Sequence, residues 1–246
     1  GIYSLVISVA GLVHVVFFQT LQLILERFLP AHLNEPKSVL QPVAAIFLML
    51  VAVVFTVAFV YSLTGVTKEW LGLIWLSTIF LIAHAWHELN LGLIKVRLQP
   101  QYYGLLGGMK ALVAVLAGGV LAWAGFGASA PIIGLVVGAV LSWSLFGRKY
   151  WRGVHPTWPE SPILRQYGAY GVPLALTFLL GWVISSSDRM IIALLLNEVA
   201  TGVYSVGYDL AQQSLGLLLV IINTAATPLA IRALEKEGVS AAKVQM

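Results

Sequence analysis

The chain has 246 residues, 59% of them hydrophobic and only 10% charged, with a net charge of +4 and a mean hydropathy of +0.91. A soluble domain carries about 25% charged residues, so a chain this apolar could not wet its own surface, and a soluble globular domain is excluded. Cysteine is absent, which also excludes disulfides and thiolate metal sites.

A helix rises about 1.5 Å per residue, so about 20 apolar residues cross the hydrocarbon layer. Seven stretches reach that length: approximately 1–25, 41–63, 70–94, 104–125, 129–147, 169–194 and 202–231. They are too long, and lack the strict alternation, for strands of a membrane barrel. Helices satisfy their own backbone groups in lipid, so the expected class is an all-α polytopic membrane helix bundle of about seven helices. The first stretch opens on Gly1-Ile2-Tyr3, with no initiator methionine and no basic leader. A piece of a longer protein is therefore expected.

The loops alternate in charge. Arg27, Lys37, Lys95, Arg97, Arg148, Lys149, Arg152, Arg165, Arg232, Lys236 and Lys243 fall on one side, Lys68 alone on the other, and Lys110 and Arg189 inside helices. The positive-inside rule assigns the basic side to the cytoplasm, so the first helix enters from outside. The segment 148–168 is the longest charged connector and holds three prolines and two tryptophans. It reads as a cytoplasmic linker between residues 1–147, most of an N-terminal lobe, and residues 169–246, the start of a C-terminal lobe. An internal echo supports that division. Gly1-Ile-Tyr-Ser4 and Gly202-Val-Tyr-Ser205 both open long apolar helices, which end at Arg27 and Arg232. Parallel repeats of this kind are common in transporters.

Polar groups inside the bilayer are expensive and mark cavities or partners. On the first helix Ser4, Ser8, Gly11, Gln19, Gln22 and Glu26 share a stripe, with His14 off its edge. On the third, Ser77, His84, Glu88 and Lys95 share one, with His87 beside it. On the last, Asp209, Gln212, Gln213, Gly216, Asn223 and Thr227 do. These stripes suggest a common wet interior; interhelical hydrogen bonding alone is the plainer alternative. Depth suggests two pairs. Arg189 and Asp209 lie about 12 Å from the same loop, with Asp188 adjacent, and Glu88 lies near the depth of Lys110. Either pair can be structural, since buried ions must be neutralised. His84-Ala-Trp-His87-Glu88 is not the His-Glu-x-x-His zinc pattern, and no metal is expected. Proton handling by His84 and Glu88 is the more plausible chemistry. No catalytic triad, phosphate loop or acidic metal motif is present, so no enzyme is expected.

Three segments carry a resemblance: Tyr167-Gly-Ala-Tyr-Gly-Val-Pro173-Leu, Gly181-Trp-Val-Ile-Ser-Ser-Ser-Asp188-Arg189, and Ala200-Thr-Gly202-Val-Tyr204-Ser-Val-Gly-Tyr208-Asp209-Leu-Ala211. Together with Gly1-Ile-Tyr-Ser4 and Arg27-Phe-Leu-Pro30, they resemble the polysaccharide-flippase family of the multidrug/oligosaccharidyl-lipid/polysaccharide exporter superfamily. The resemblance implies a two-lobed exporter fold with alternating access around a central cavity. The stretches here would be family helices 2–8, so the first helix and everything after the eighth would lie outside this chain. It implies a polyprenyl-diphosphate-linked oligosaccharide as cargo, moved outward from the cytoplasmic leaflet of a bacterial or archaeal inner membrane. Cavity residues would be Arg189, Lys110, Asp188, Asp209, Glu88, His84, Gln22 and Gln212, with Lys95 a further cation. No cofactor is expected beyond proton or sodium coupling. The expected partners are membrane lipids and a glycan polymerase or glycosyltransferase, and not nucleic acid. The alternative within the same fold is a multidrug or small-cation exporter, whose cavity should be acidic or aromatic. A membrane glycan polymerase or ligase would need a larger outer loop than these. A seven-helix retinal receptor would need a lysine in the last helix.

Overall fold

The computed structural model describes residues 10–64, 67–196, 200, 203–204, 206–208, 210–211 and 214–216. Six long helices run through them: α1 (Ala10–His32), α2 (Lys37–Ser62), α3 (Lys68–Val96), α4 (Pro100–Trp123), α5 (Ala130–Trp151) and α6 (Ser161–Leu195). No strand occurs among the described residues. The fold is an all-α polytopic membrane bundle. α1, α2, α4, α5 and the Ser161–Ile184 part of α6 are each long and apolar enough to span a bilayer. α3, at 29 residues, is long enough as well and carries most of the polar groups described below.

Helix ends follow local chemistry. Pro100 and Pro131 stand in the first turns of α4 and α5, where a missing N–H removes no helical bond. α6 begins eight residues before the apolar stretch suggested, because Ser161, Arg165 and Gln166 continue the helix through its polar first turns. Gly125 and Gly127, at φ +89° and +54°, make the short α4–α5 turn in a backbone region that a side chain would strain.

The chain divides into two compact units, one up to Trp182 and one from Val183 on. In the first, Leu21, Leu25, Leu40, Val43, Leu81 and Leu89 bring α1, α2 and α3 into one core. Trp86 of α3 stands in an aromatic cluster, 5.0 Å from Phe47 of α2 and 4.7 Å from Trp151 of α5, ring centre to ring centre. The closest packing is α4 against α5. A Cβ at Gly134 would stand 2.5 Å from the Ala114 carbonyl oxygen and 2.7 Å from the Gly118 nitrogen. One turn on, a Cβ at Gly138 would strike the Lys110 carbonyl. Membrane helices gain little from apolar burial against one another, so such backbone approach through small residues is what holds them. Trp123, Leu63 and Val115 point outward, as lipid-facing side chains do without penalty. In the second unit Tyr204 stacks on Tyr208 at 5.9 Å.

Candidate functional site

In the second half of α3, an ion pair sits inside the first unit. Lys110 is ten residues into α4 and Glu88 eight residues before the end of α3, so both lie about 12–15 Å from the turn joining the two helices. The Lys110 Nζ donates to Glu88 Oε1 at 3.3 Å and to His84 Nδ1 at 3.1 Å. An ammonium has no lone pair, so His84 Nδ1 is the acceptor and carries no proton in this arrangement. His84 Nδ1 lies 3.8 Å from Glu88 Oε1, one helical turn away. The three side chains are only partly accessible, at 16% for Lys110, 27% for Glu88 and 29% for His84. The Gly138 contact fixes the depth of this site, because it presses α5 onto the backbone of Lys110 itself.

His14 joins this cluster. Its ring stands 4.6 Å from that of His84, which also stacks on Phe80 at 5.6 Å. An ideal helix puts His14 off the polar stripe of α1. Here His14–Phe18 form a π-turn, which takes an extra residue into the turn and rotates everything before it. The buried His14 Nδ1 has no partner among the described residues.

His87 belongs to a different contact. Its Nδ1 lies 3.1 Å from Ser142 Oγ, and that hydroxyl donates to the Ala139 carbonyl at 3.0 Å, so the imidazole Nδ1–H is the donor between them. Both residues are buried. His84 and His87 thus face different helices and do not converge on one ion; among the described residues no group of three His, Asp or Glu could hold a metal. Asn90, one turn further, accepts from Trp151 Nε1 at 2.8 Å and ties the end of α5 to α3.

Gln22 lies elsewhere. It is eight residues beyond His14, about 12 Å down α1, and donates to Glu26 Oε1 at 2.9 Å. Glu26 Oε2 accepts from Lys95 at 2.7 Å. Gly92 makes room for this pair, since a Cβ there would stand 2.8 Å from Gln22 Cγ. Asp188, in the second unit, accepts from the Tyr204 hydroxyl at 3.1 Å. The Arg189 side chain, Asp209 and Gln212 fall outside the described residues, and so does the suggested Arg189–Asp209 pair.

A cavity of about 640 Å³ opens between α1, α2 and α3. Its lining is apolar, with Phe17, Phe18, Val54, Tyr61 and Leu73 prominent and Ser77 and Thr78 the polar exceptions. Val13, next to His14, lines it as well, so the cavity adjoins the charged cluster.

Residues 42–240 match the profile of a family described as "Polysaccharide biosynthesis protein". No curated protein and no solved structure matches the chain. The matched residues cover most of the sequence, and the chain belongs to that family.

Proposed function

We propose that this member of the polysaccharide biosynthesis protein family moves a polyprenyl-diphosphate-linked oligosaccharide from the cytoplasmic to the outer leaflet by alternating access. One observation carries the reading: a lysine in the membrane interior, held by one carboxylate and one imidazole and still partly accessible. A diphosphate needs cations, and charge-assisted bonds to phosphate are strong in a dry site. Lys110 is spoken for by Glu88 while Glu88 is ionised. Protonation of Glu88 removes the competing anion and leaves the ammonium for the cargo, with His84 Nδ1 still holding it in place. Proton binding and cargo binding are coupled in this scheme through one shared partner. His14 and His84, ring against ring, are the groups through which a proton would reach or leave Glu88.

The apolar cavity beside His14 suits a prenyl chain, whose only demand is burial away from polar groups. The sequence offers Arg189, Asp188, Asp209 and Gln212 as further candidates for cargo contact, while Gln22 and Lys95 are engaged with Glu26 at the basic end. Transport of this kind changes no covalent bond, so the protein acts as a carrier and not an enzyme. It works in a bacterial or archaeal cytoplasmic membrane with its basic ends facing the cytoplasm, beside a glycan polymerase or glycosyltransferase that supplies or consumes the lipid-linked glycan. Sodium in place of the proton is the other coupling ion compatible with a carboxylate at this position.

The aromatic and aliphatic cavity favours a second reading, export of small hydrophobic cations. The two readings separate on binding. Purified protein should retain a labelled polyprenyl-diphosphate oligosaccharide, and Lys110→Gln should weaken that retention by at least about tenfold, the loss of one charge-assisted contact. Equal retention by both proteins, with tighter binding of a lipophilic cation such as tetraphenylphosphonium, would replace the first reading by the second.

A further inference from the structure

The turn between α3 and α4 meets the end of α5 in a patch that is basic and aromatic. Residues 95–103 and 148–152 hold Lys95, Arg97, Arg148, Lys149 and Arg152 and no acid. Lys95 is paired with Glu26. Arg97 and Lys149 have no carboxylate partner among the described residues. Both rest on aromatic rings instead. Lys149 Nζ stands 3.5 Å from the centre of the Tyr102 ring and 4.9 Å from that of Tyr150, and Arg97 Cζ lies 5.0 Å from the Tyr150 ring. The Tyr150 hydroxyl bonds to Gln99 Oε1, which holds the shared ring in place. The Arg97 Nε is buried with no hydrogen-bond partner among the described residues.

Two cations over one ring repel each other, and the ring quadrupole offsets that only in part. No acidic side chain among the described residues offsets that repulsion, and a guanidinium beside an ammonium matches the oxygens of a phosphate. Leu98, between Arg97 and Gln99, indicates where the anion comes from. It sits at φ +53°, a sterically costly conformation for leucine, and the residue is 87% exposed. This left-handed turn closes α3, with the Gln99 N–H bonding back to the Ile94 carbonyl at 3.4 Å, and it leaves an exposed apolar side chain at the end of two long helices, a position suited to contact with lipid.

We propose that Arg97 and Lys149, braced by Tyr102 and Tyr150, form a phosphate site that takes the headgroup of an anionic phospholipid at the basic end of the bundle, with Leu98 inserted beside its acyl chains. Basic pockets between membrane helices on that side suit such headgroups. The site is separate from Lys110 and does not rest on the transport reading.

The test uses the protein purified in neutral detergent. Retention of phosphatidylglycerol and of phosphatidylcholine is measured by native mass spectrometry for wild type, Lys149→Gln, Arg97→Gln/Lys149→Gln and, as a neighbouring control, Arg152→Gln. Wild type and the control should hold phosphatidylglycerol about tenfold more tightly than Lys149→Gln does, and the double variant should show no preference for the anionic lipid. The exposed Lys149 can be replaced without disturbing the core, so misfolding would not mimic the result. Equal retention of the two lipids by wild type, or an unchanged preference in both variants, overturns the site. Inorganic phosphate is the second arm. Thermal stabilisation by phosphate that is lost in the variants, with no lipid preference, overturns the lipid assignment in favour of a soluble phosphate ester.

Discussion

Replacing Lys110 tests whether the interior ion pair is a true energetic couple. At 3.3 Å the attraction between its ammonium and Glu88 is about 5 kcal/mol at an effective dielectric constant of about 20. Desolvation of both groups offsets much of this, and their partial accessibility reduces it further. Lys110→Met should therefore destabilise the folded protein by about 2–4 kcal/mol, mainly by leaving the Glu88 carboxylate without its cation. Glu88→Gln should cost about 1–2 kcal/mol, since its amide oxygen still accepts from Lys110. The double variant should cost no more than Lys110→Met alone, giving a coupling of about 1–3 kcal/mol. Unfolding in mixed micelles with increasing sodium dodecyl sulfate, followed by tryptophan fluorescence, measures all four corners of the cycle. Trp143 and Trp151 each stand within 6 Å of Trp86, ring centre to ring centre, and report on the same unit. Single costs that add to within about 0.5 kcal/mol would refute the pairing.

Three further outcomes follow from the packing. Gly134→Ala should destabilise by about 1–3 kcal/mol, because its Cβ meets backbone atoms of α4 that cannot rotate away; Gly119→Ala, with open space around it, should be neutral or slightly stabilising. A shared midpoint for both variants in the same unfolding assay would contradict this. Ser142→Ala should cost about 1–3 kcal/mol by leaving the buried His87 Nδ1–H without its acceptor, and Ser142→Thr, which keeps the hydroxyl, should recover part of it; equal loss in both would mean that packing alone is at stake. Trp151→Phe removes the 2.8 Å bond to Asn90 and should cost about 1 kcal/mol while speeding protease cleavage within residues 152–160; an unchanged cleavage rate would show that this contact does not hold the segment.

The apolar runs made the helices legible, since only a helix satisfies about 20 consecutive residues in lipid. Depth counting also placed Glu88 beside Lys110, because both are measured from one short turn and a helix rise is constant. Angular position was less legible. His14 lay off the stripe drawn on an ideal helix, and the π-turn that rotates it toward His84 has no plain signature in His14-Val-Val-Phe-Phe18. Gln22 shared that stripe with the interior polar groups yet is spent on Glu26, because Gly92 lets α1 and α3 approach at that level. His87 resembled His84 in sequence; a displacement of three residues, about 300° of helix, turns it toward Ser142 on α5 instead. The pairing of Asn90 with Trp151, and the two cations over Tyr150, join segments about 50–60 residues apart and depend on α5 folding back on α3, which no local pattern records.

Leaflet-to-leaflet movement of a labelled polyprenyl-diphosphate oligosaccharide in proteoliposomes tests the central claim most directly. The wild-type protein should move it, Lys110→Gln and Arg189→Ala should each slow the movement by at least about tenfold, and Glu88→Gln should leave it insensitive to an imposed pH gradient. Absence of movement by wild type across several glycans, or movement that survives the loss of both cations, would contradict it.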